Sequence, residues 1–235
     1  MADPPAWLAE LRSTQPTDRT RVGIGLCVTD ATIPLTHAGL VHWEPGEEPY
    51  VLHLAFHAIV RDEPIGKLAL DLFWSELPLD DDGAAAVAGY CRRIGKRPPF
   101  VRYGIAYEGG TLAEDGTAVL GGSAVGLTCA TYVLALLRSF NHDIIVLDTW
   151  PPRADDDPWH AHILKMLIGF HCKNKDVLSP EHIVAVSRER GCARYRPEEV
   201  AAAAGVQWPS PFDVAEPRGR DARAALVARA KATGT

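Results

Sequence analysis

The sequence predicts an α+β fold, because its strand-like and helix-like segments are separated along the chain. Segments with the composition of β-strands lie before residue 110, whereas apolar residues at helical spacing dominate after residue 128. Elements that segregate in this way are typical of α+β architectures, in which helices pack on an antiparallel sheet. A length of 235 residues is enough for one substantial hydrophobic core with a smaller appended part.

Composition narrows the functional class. Hydrophobic residues make up 47% of the chain and charged residues 23%, as in ordinary soluble globular proteins. The net charge of -6 predicts no nucleic-acid partner. No segment has the ~20 apolar residues of a membrane span, and the first residues lack the basic start and apolar run of a secretory signal. We therefore expect a cytoplasmic protein with no membrane span, and the sequence leaves its oligomeric state open.

The first half of the chain predicts most of the sheet. A short helix is expected at 4–11, with prolines in its first turn, and an alanine-rich helix at 82–96. Four segments are apolar and β-like: 21–29, 35–43, 50–60 and 100–107. The proline- and glycine-containing turn at 44–49 predicts that the second and third of these strands form a hairpin.

The second half predicts helices. From Thr128 onward, Val133, Leu136 and Leu137 recur at helical spacing and would bury one face. A short strand is expected at 144–147, and 207–217 has no periodicity. Further helices are expected at 159–172, 180–190, 197–204 and 221–231. We interpret 1–150 as the core, and 151–235 as a mainly helical extension packed on it that restricts substrate access or forms a partner surface.

Cys129 has the sequence setting of a reactive cysteine. The five cysteines show no CxxC spacing, and their odd number favours reduced thiols. Cys129 lies where a loop of small residues turns into an apolar helix, and the positive end of a helix dipole favours the thiolate. Two histidines, His37 and His53, precede it in predicted strands. A nearby imidazole can take the thiol proton, and a further polar group can orient that imidazole.

The turn of the predicted hairpin decides whether the two histidines meet. Side chains alternate along a strand, so His37 shares a face with Gly39 and Val41. An odd number of loop residues would place His53 on the same face, as a diagonal neighbour of His37. An even number would turn His53 away. The sequence allows both arrangements.

The segment Thr36-His37-Ala38-Gly39-Leu40-Val41 resembles the His-x-Gly-[Ile/Val] strand of the circularly permuted papain-like hydrolases. That group includes the lecithin:retinol acyltransferase-like proteins and bacterial relatives of the NlpC-type peptidases. Its members have a histidine strand, then a polar residue on the next strand, then a cysteine that opens a helix. His53 and Cys129 fall at the second and third of these places, and the resemblance covers roughly residues 20 to 140.

The resemblance implies a permuted papain-like core, with a small antiparallel sheet packed on the nucleophile helix. Cys129 would be the nucleophile, His37 the general base and His53 the orienting group, and the Cys129 N–H would stabilise the oxyanion. Bacterial relatives often have a carboxylate where this chain has His53. The orienting role therefore stays open between His53, His57 and Glu48.

The implied function is that of a cysteine hydrolase that cleaves an amide, peptide or isopeptide bond through a thiol acyl-enzyme. Its partner would be a peptide, isopeptide or acyl substrate, and no cofactor is expected. The alternatives are a thioester-based acyltransferase and a catalytically silent binding module of the same fold. No metal site is expected, because His160 and His162 point to different sides of a predicted helix and no CxxC or HExxH spacing occurs.

Overall fold

The computed structural model describes residues 3–11, 17–30, 35–68 and 71–233 and has a mixed α+β architecture, as the sequence predicts. The strands are β1 (Ala9–Glu10), β2 (Arg21–Asp30), β3 (Leu35–Trp43), β4 (Tyr50–Phe56), β5 (Ile59–Pro64), β6 (Phe73–Glu76), β7 (Thr111–Leu112) and β8 (Ala118–Val119). The helices are α1 (Asp81–Lys96), α2 (Cys129–Arg138), α3 (Asp157–Lys173), α4 (Pro180–Ser187), α5 (Pro197–Ala204) and α6 (Phe212–Thr233).

Six strands form one antiparallel sheet in the order β1-β6-β2-β3-β4-β5, and β7 and β8 form a separate pair. The predicted hairpin is present as β3 and β4, with Leu40 opposite Leu52 and Val41 opposite Val51. Strand alternation divides the sheet into two faces. Leu40 and Leu52 belong to the main core, whereas Val41 and Val51 belong to a smaller core on the other face.

Helix α2 begins at Cys129 because the residue before it caps the helix. The Thr128 hydroxyl accepts a hydrogen bond from the Thr131 N–H, and the Thr131 hydroxyl accepts one from the Thr128 N–H. This reciprocal capping box satisfies backbone donors that the first turn leaves unpaired. The next residues of α2 are buried against β3 and β4. The capping box therefore holds Cys129 at a fixed place beside the sheet.

Two predicted elements of the sheet differ in the structure. Instead of a helix at 4–11, the chain makes a turn and then β1, which pairs with β6. The predicted strand 50–60 is two strands, because the chain reverses at His57 and Ala58, where Ala58 has a φ of 60°. A left-handed φ at a non-glycine residue gives no sequence signal of a turn.

The segment 100–107 is mostly buried, but the expected strand is reduced to a single bridge between Tyr103 and Leu127. Two of its backbone N–H groups bond to distant side chains instead of a neighbouring strand: the Tyr103 N–H donates to His57 Nδ1, and the Ile105 N–H donates to the Glu189 carboxylate. A buried segment whose backbone groups are hydrogen-bonded to distant side chains can have the same apolar composition as a strand. This explains the wrong prediction.

The second half is helical where predicted, with two differences. The expected strand at 144–147 is reduced to a single bridge between Ile145 and Ser210. Helix α6 begins at Phe212, inside the segment that showed no periodicity, and runs to Thr233. Within the described ranges, no helix combines the length and the apolar character that crossing a membrane requires.

Candidate active site

Cys129 and His37 line the same pocket, which has a volume of about 240 Å³. The pocket lies where residues from both faces of the sheet are accessible, since Thr36 and His37 of β3 and Leu54 and Ala55 of β4 all contribute to its wall. The β3–β4 pairing extends only to Leu40 and Leu52. The paired part of the hairpin therefore ends before the pocket, and the N-terminus of α2 contributes to the pocket wall there.

The structure brings His37 and His53 together. His42 lies opposite Tyr50, so an odd number of residues separates the paired positions, and both histidines lie on the same face. His37 Nε2 lies 2.7 Å from His53 Nδ1, and the two rings meet edge to face. Of the two arrangements that the sequence allows, the diagonal-neighbour arrangement is the one present.

Glu63, on β5, fixes which nitrogen of each imidazole carries a proton. Its carboxylate lies 3.4 Å from His53 Nε2. A carboxylate only accepts hydrogen bonds, so Nε2 of neutral His53 carries the hydrogen and Nδ1 accepts from the His37 Nε2–H. His37 Nδ1 is then left with a free lone pair. The chain Glu63–His53–His37 thus holds His37 in the tautomer of a general base.

The two other candidate orienting residues lie elsewhere. His57 accepts the hydrogen bond of the Tyr103 N–H, and its ring packs against His182. Glu48 lines a separate cavity of about 600 Å³ together with His42 and Arg92. Neither His57 nor Glu48 is hydrogen-bonded to His37, whose ring is bonded to His53.

Burial dominates the ionisation of Cys129, which is 8% exposed. Desolvation raises the pKa of the Cys129 thiol above its usual value. The backbone N–H groups of Ala38 and Ala130, the positive charge of Arg194 and the N–H of Cys129 itself lower the pKa, but by less than burial raises it. The Cys129 pKa is therefore shifted upward, whereas the helix N-terminus alone predicts a downward shift.

Burial also lowers the pKa of His37 to about 4, and the pKa of His53 is lowered to about 4 by burial and then by His37. At neutral pH the site therefore contains a thiol and neutral imidazoles. In the described part of the chain no hydrogen bond joins Cys129 Sγ to His37. The thiol and the base share a pocket without forming an ion pair.

Three contributors to the site have no signal in the sequence. Glu63 has no motif around it, and strand alternation alone does not identify a partner for it. Trp159 and Arg194 reach the pocket from the C-terminal half, where the resemblance does not extend. Tyr103, in the segment 100–107 that the sequence predicts to be a strand, also lines the pocket.

The described residues contain no group of three or more His, Cys, Asp or Glu side chains arranged to hold a metal ion. Comparisons of this chain with protein-family models, with curated proteins and with solved structures gave no match.

Proposed function

We propose that this protein is a cysteine hydrolase that cleaves an amide, peptide or isopeptide bond through a thiol acyl-enzyme, with Cys129 as nucleophile and His37 as general base. The observation that carries the proposal is the hydrogen-bond chain from Glu63 through His53 to His37, which ends in the pocket that Cys129 lines. Linked side chains that fix one tautomer of a base in the same pocket as a nucleophile have the logic of a catalytic triad. The His37 side chain lies on the sheet face of Val41, whereas α2 packs on the face of Leu40, so the two groups meet only at the pocket, where β3 and β4 no longer pair.

The first step transfers the thiol proton to His37 as the sulfur attacks. In the substrate complex, His37 Nδ1 takes the proton from Cys129 Sγ, and the sulfur forms a bond to the carbonyl carbon. Hydrogen bonds of this kind are often long without substrate and shorten in the complex. Because both groups are neutral beforehand, the imidazolium forms only during attack. His53 accepts the hydrogen bond of the charged ring, and Glu63 stabilises the positive charge.

Backbone donors beside the sulfur stabilise the negative oxygen of the tetrahedral intermediate. The N–H groups of Cys129 and Ala130 lie in the first turn of α2, where helix geometry leaves donors unpaired. The intermediate collapses when the C–N bond breaks, and His37 returns its proton to the leaving amine. Water then attacks the thioester, with His37 again acting as base, and releases the acid and the free thiol.

A catalytically silent binding module is the second candidate, and the protonation of the site favours it. A raised Cys129 pKa and the lack of a hydrogen bond to His37 are typical of a buried structural cysteine. A thioester-based acyltransferase would use the same first step and differ in the group that attacks the thioester. The experiment that follows separates all three.

The test is turnover of a panel of peptide, isopeptide and ester probes, with acid-quenched samples analysed by mass spectrometry for an acyl group on Cys129. Wild-type protein is expected to release product and to carry the adduct. Cys129→Ala should abolish both. His37→Ala should lower kcat by about 10²- to 10⁴-fold, the usual contribution of a general base. Glu63→Gln should lower kcat while leaving KM unchanged, because it alters the tautomer chain and not the pocket, with ~10⁴-fold as the upper limit seen for a carboxylate bonded directly to the base.

Cys172→Ala is the matched control, because Cys172 is exposed and its removal should change nothing. Product release that survives Cys129→Ala would disprove the proposal. No turnover and no adduct with any probe would favour the binding module. An adduct that is discharged by added amines faster than by water would indicate acyl transfer.

A further inference from the structure

Arg194 places a positive charge in the pocket that Cys129 lines. It lies in the connection between α4 and α5, and its guanidinium stacks on the Trp159 ring at 3.8 Å from the ring centre. Its charge acts on the Cys129 sulfur and favours the thiolate. The candidate nucleophile and a cation therefore face the same small volume.

The hydrogen bonding of this guanidinium is incomplete. Arg194 Nη1 lies 3.2 Å from Asp156 Oδ1, but the same carboxylate also binds Arg153 and Arg196. Arg153 has a second partner in Glu199, and Arg196 has one in Asp155. Within the described ranges, Arg194 Nε and Nη2 donate to no acceptor. One carboxylate is thus shared among three guanidinium groups, and two nitrogen atoms of Arg194 have no acceptor from the described part of the protein.

The position of Arg194 is unfavourable for a positive charge, because its side chain is only 14% exposed. Enclosing a charged side chain that has few protein acceptors costs free energy. Nε and Nη2 are not among the buried atoms without a partner, so they stay accessible from the pocket. Glu198 lies close enough to act on Arg194 electrostatically, but its carboxylate accepts the Thr36 hydroxyl at 2.5 Å and also lies 3.8 Å from Arg223. The protein therefore holds the Arg194 fork in place without satisfying it. A ligand with acceptor oxygens would do so.

We infer that the pocket takes a small acyl group that carries a carboxylate, which Arg194 binds through Nε and Nη2 while the scissile carbonyl faces Cys129. The planar guanidinium fork matches the two oxygens of a carboxylate. Ile163 and Met166 offer an apolar wall for a short stem. A volume of about 240 Å³ is smaller than the ~300–1,000 Å³ of most ligand sites, so the acyl group is short. Calling this ligand a substrate rests on the proposed function.

The test compares two alkylating agents that differ only in charge, iodoacetate and iodoacetamide. With either agent the cysteine thiolate forms an S–C bond and displaces iodide. The ratio of the two rates at one cysteine cancels its ionisation, so the ratio reports recognition of the carboxylate. Peptide mass spectrometry measures the ratio at Cys129 and at exposed Cys172 in the same sample. We expect the iodoacetate-to-iodoacetamide ratio to be about tenfold higher at Cys129, as a charge-assisted hydrogen bond gives.

Variants locate the effect. Arg194→Gln should bring the ratio at Cys129 down to that at Cys172, and Arg194→Lys should keep part of the preference. Arg190→Gln is the matched control. Arg190 is exposed and pairs with Asp157 at the start of α3, outside the pocket. The substitution therefore removes one positive charge near the site and leaves the pocket wall unchanged. A folded Arg194→Gln protein with an unchanged ratio would overturn the inference. So would a wild-type ratio no higher at Cys129 than at Cys172, a measurement that needs no variant.

Protection experiments identify the class of anion. Propionate should slow the alkylation of Cys129 by iodoacetamide in wild-type protein and not in Arg194→Gln. Protection by inorganic phosphate without protection by propionate would contradict a carboxylate site.

This inference and the proposed hydrolase can fail separately, because the ratio needs no turnover. A ratio that depends on Arg194 in a protein without turnover would support carboxylate recognition and reject the hydrolase. Turnover together with an iodoacetate-to-iodoacetamide ratio that Arg194→Gln does not change would support the hydrolase and reject the inference.

Discussion

Burial sets the chemistry of Cys129 and His37 more strongly than the helix N-terminus does. A helix dipole and nearby N–H donors favour the thiolate, but desolvation raises the Cys129 pKa above its usual value. The same desolvation lowers the pKa of His37 to about 4. The stable form of the site at neutral pH is therefore the neutral thiol and imidazole, and any thiolate has to be generated when substrate binds.

The pH dependence of alkylation distinguishes this neutral pair from a preformed ion pair. Only the thiolate is alkylated, so a raised Cys129 pKa predicts an iodoacetamide rate that is low at neutral pH and still rises above about pH 9. A thiolate–imidazolium pair would instead give a rate that is already constant from about pH 5 upward, because its thiol pKa would be low. The rate at Cys129 should be followed from about pH 6.5 to about pH 10.

The exposed Cys172 serves as the internal reference in each sample, and a plateau at Cys129 below neutral pH would disprove the neutral pair.

The lower limit of the pH range is set by the stability of the protein. His37, His53 and His57 have folded-state pKa values of about 4, below the ~6.5 of an unfolded histidine. Between these values the unfolded chain binds more protons, so stability is lost as the pH falls from about 6.5 towards 4.

Among the elements, the β3–β4 hairpin positions the base, and Gly39 is what lets the two strands approach. A Cβ at Gly39 would lie 2.5 Å from Val51 Cγ2 and 2.9 Å from His53 Cβ, both on β4. Contacts this short force the neighbour to move. The glycine of the His-x-Gly motif thus has a packing role in this chain, next to the hydrogen bond between His37 and His53.

Gly39→Ala is expected to destabilise the protein by about 1–3 kcal/mol, the usual cost of overpacking a filled site. Because His53 must shift, activity should fall by more than the loss of folded protein explains. Urea unfolding and turnover per folded molecule measure the two effects. Gly89→Ala is the matched control, since Gly89 lies in α1 with no atom within 4 Å of the added Cβ. It should stabilise the helix by about 0.5–1 kcal/mol. An equally stable, fully active Gly39→Ala variant would contradict the packing role.

Local patterns predicted the elements whose stability is local. The turn between β3 and β4 follows from its proline and glycine residues, and the start of α2 follows from the apolar residues at helical spacing after Thr128. The segment 100–107 forms a single bridge and not the expected strand, because two of its N–H groups bond to His57 and Glu189, which are distant in the chain. The composition of a segment indicates that it is buried, but not which groups form hydrogen bonds with its backbone.

The same distinction applies to the candidate site. His37, His53 and Cys129 were identified from strand and helix context, and the structure joins the two histidines and puts His37 and Cys129 on one pocket. Glu63 and Arg194 reach the site through tertiary packing, which no local pattern encodes. The ionisation of Cys129 was predicted in the wrong direction for the same reason, since its burial depends on elements far away in the sequence.

At the scale of the whole molecule, the two halves of the chain share one main core. Leu167 of α3 and Val200 of α5 are fully buried in the cluster that also contains Leu40 and Leu52 of the sheet. Helix α5 packs on β2 and β3. The C-terminal helices also form part of the pocket wall through Trp159 and Arg194. The segment 151–235 therefore both covers the pocket and completes the core.

A fragment of residues 1–150 is accordingly expected not to fold cooperatively, because it would expose the face of the sheet that the C-terminal helices bury. Removing large apolar side chains from a core costs about 2–5 kcal/mol each, and the fragment loses several, against a total stability of about 5–15 kcal/mol. Urea unfolding followed by circular dichroism should show a sloping baseline for the fragment and a single sharp transition for the full chain. Adding the separately expressed 151–235 segment should restore the transition. A fragment that unfolds as sharply and at the same urea concentration as the full chain would show instead that residues 1–150 form an independent domain.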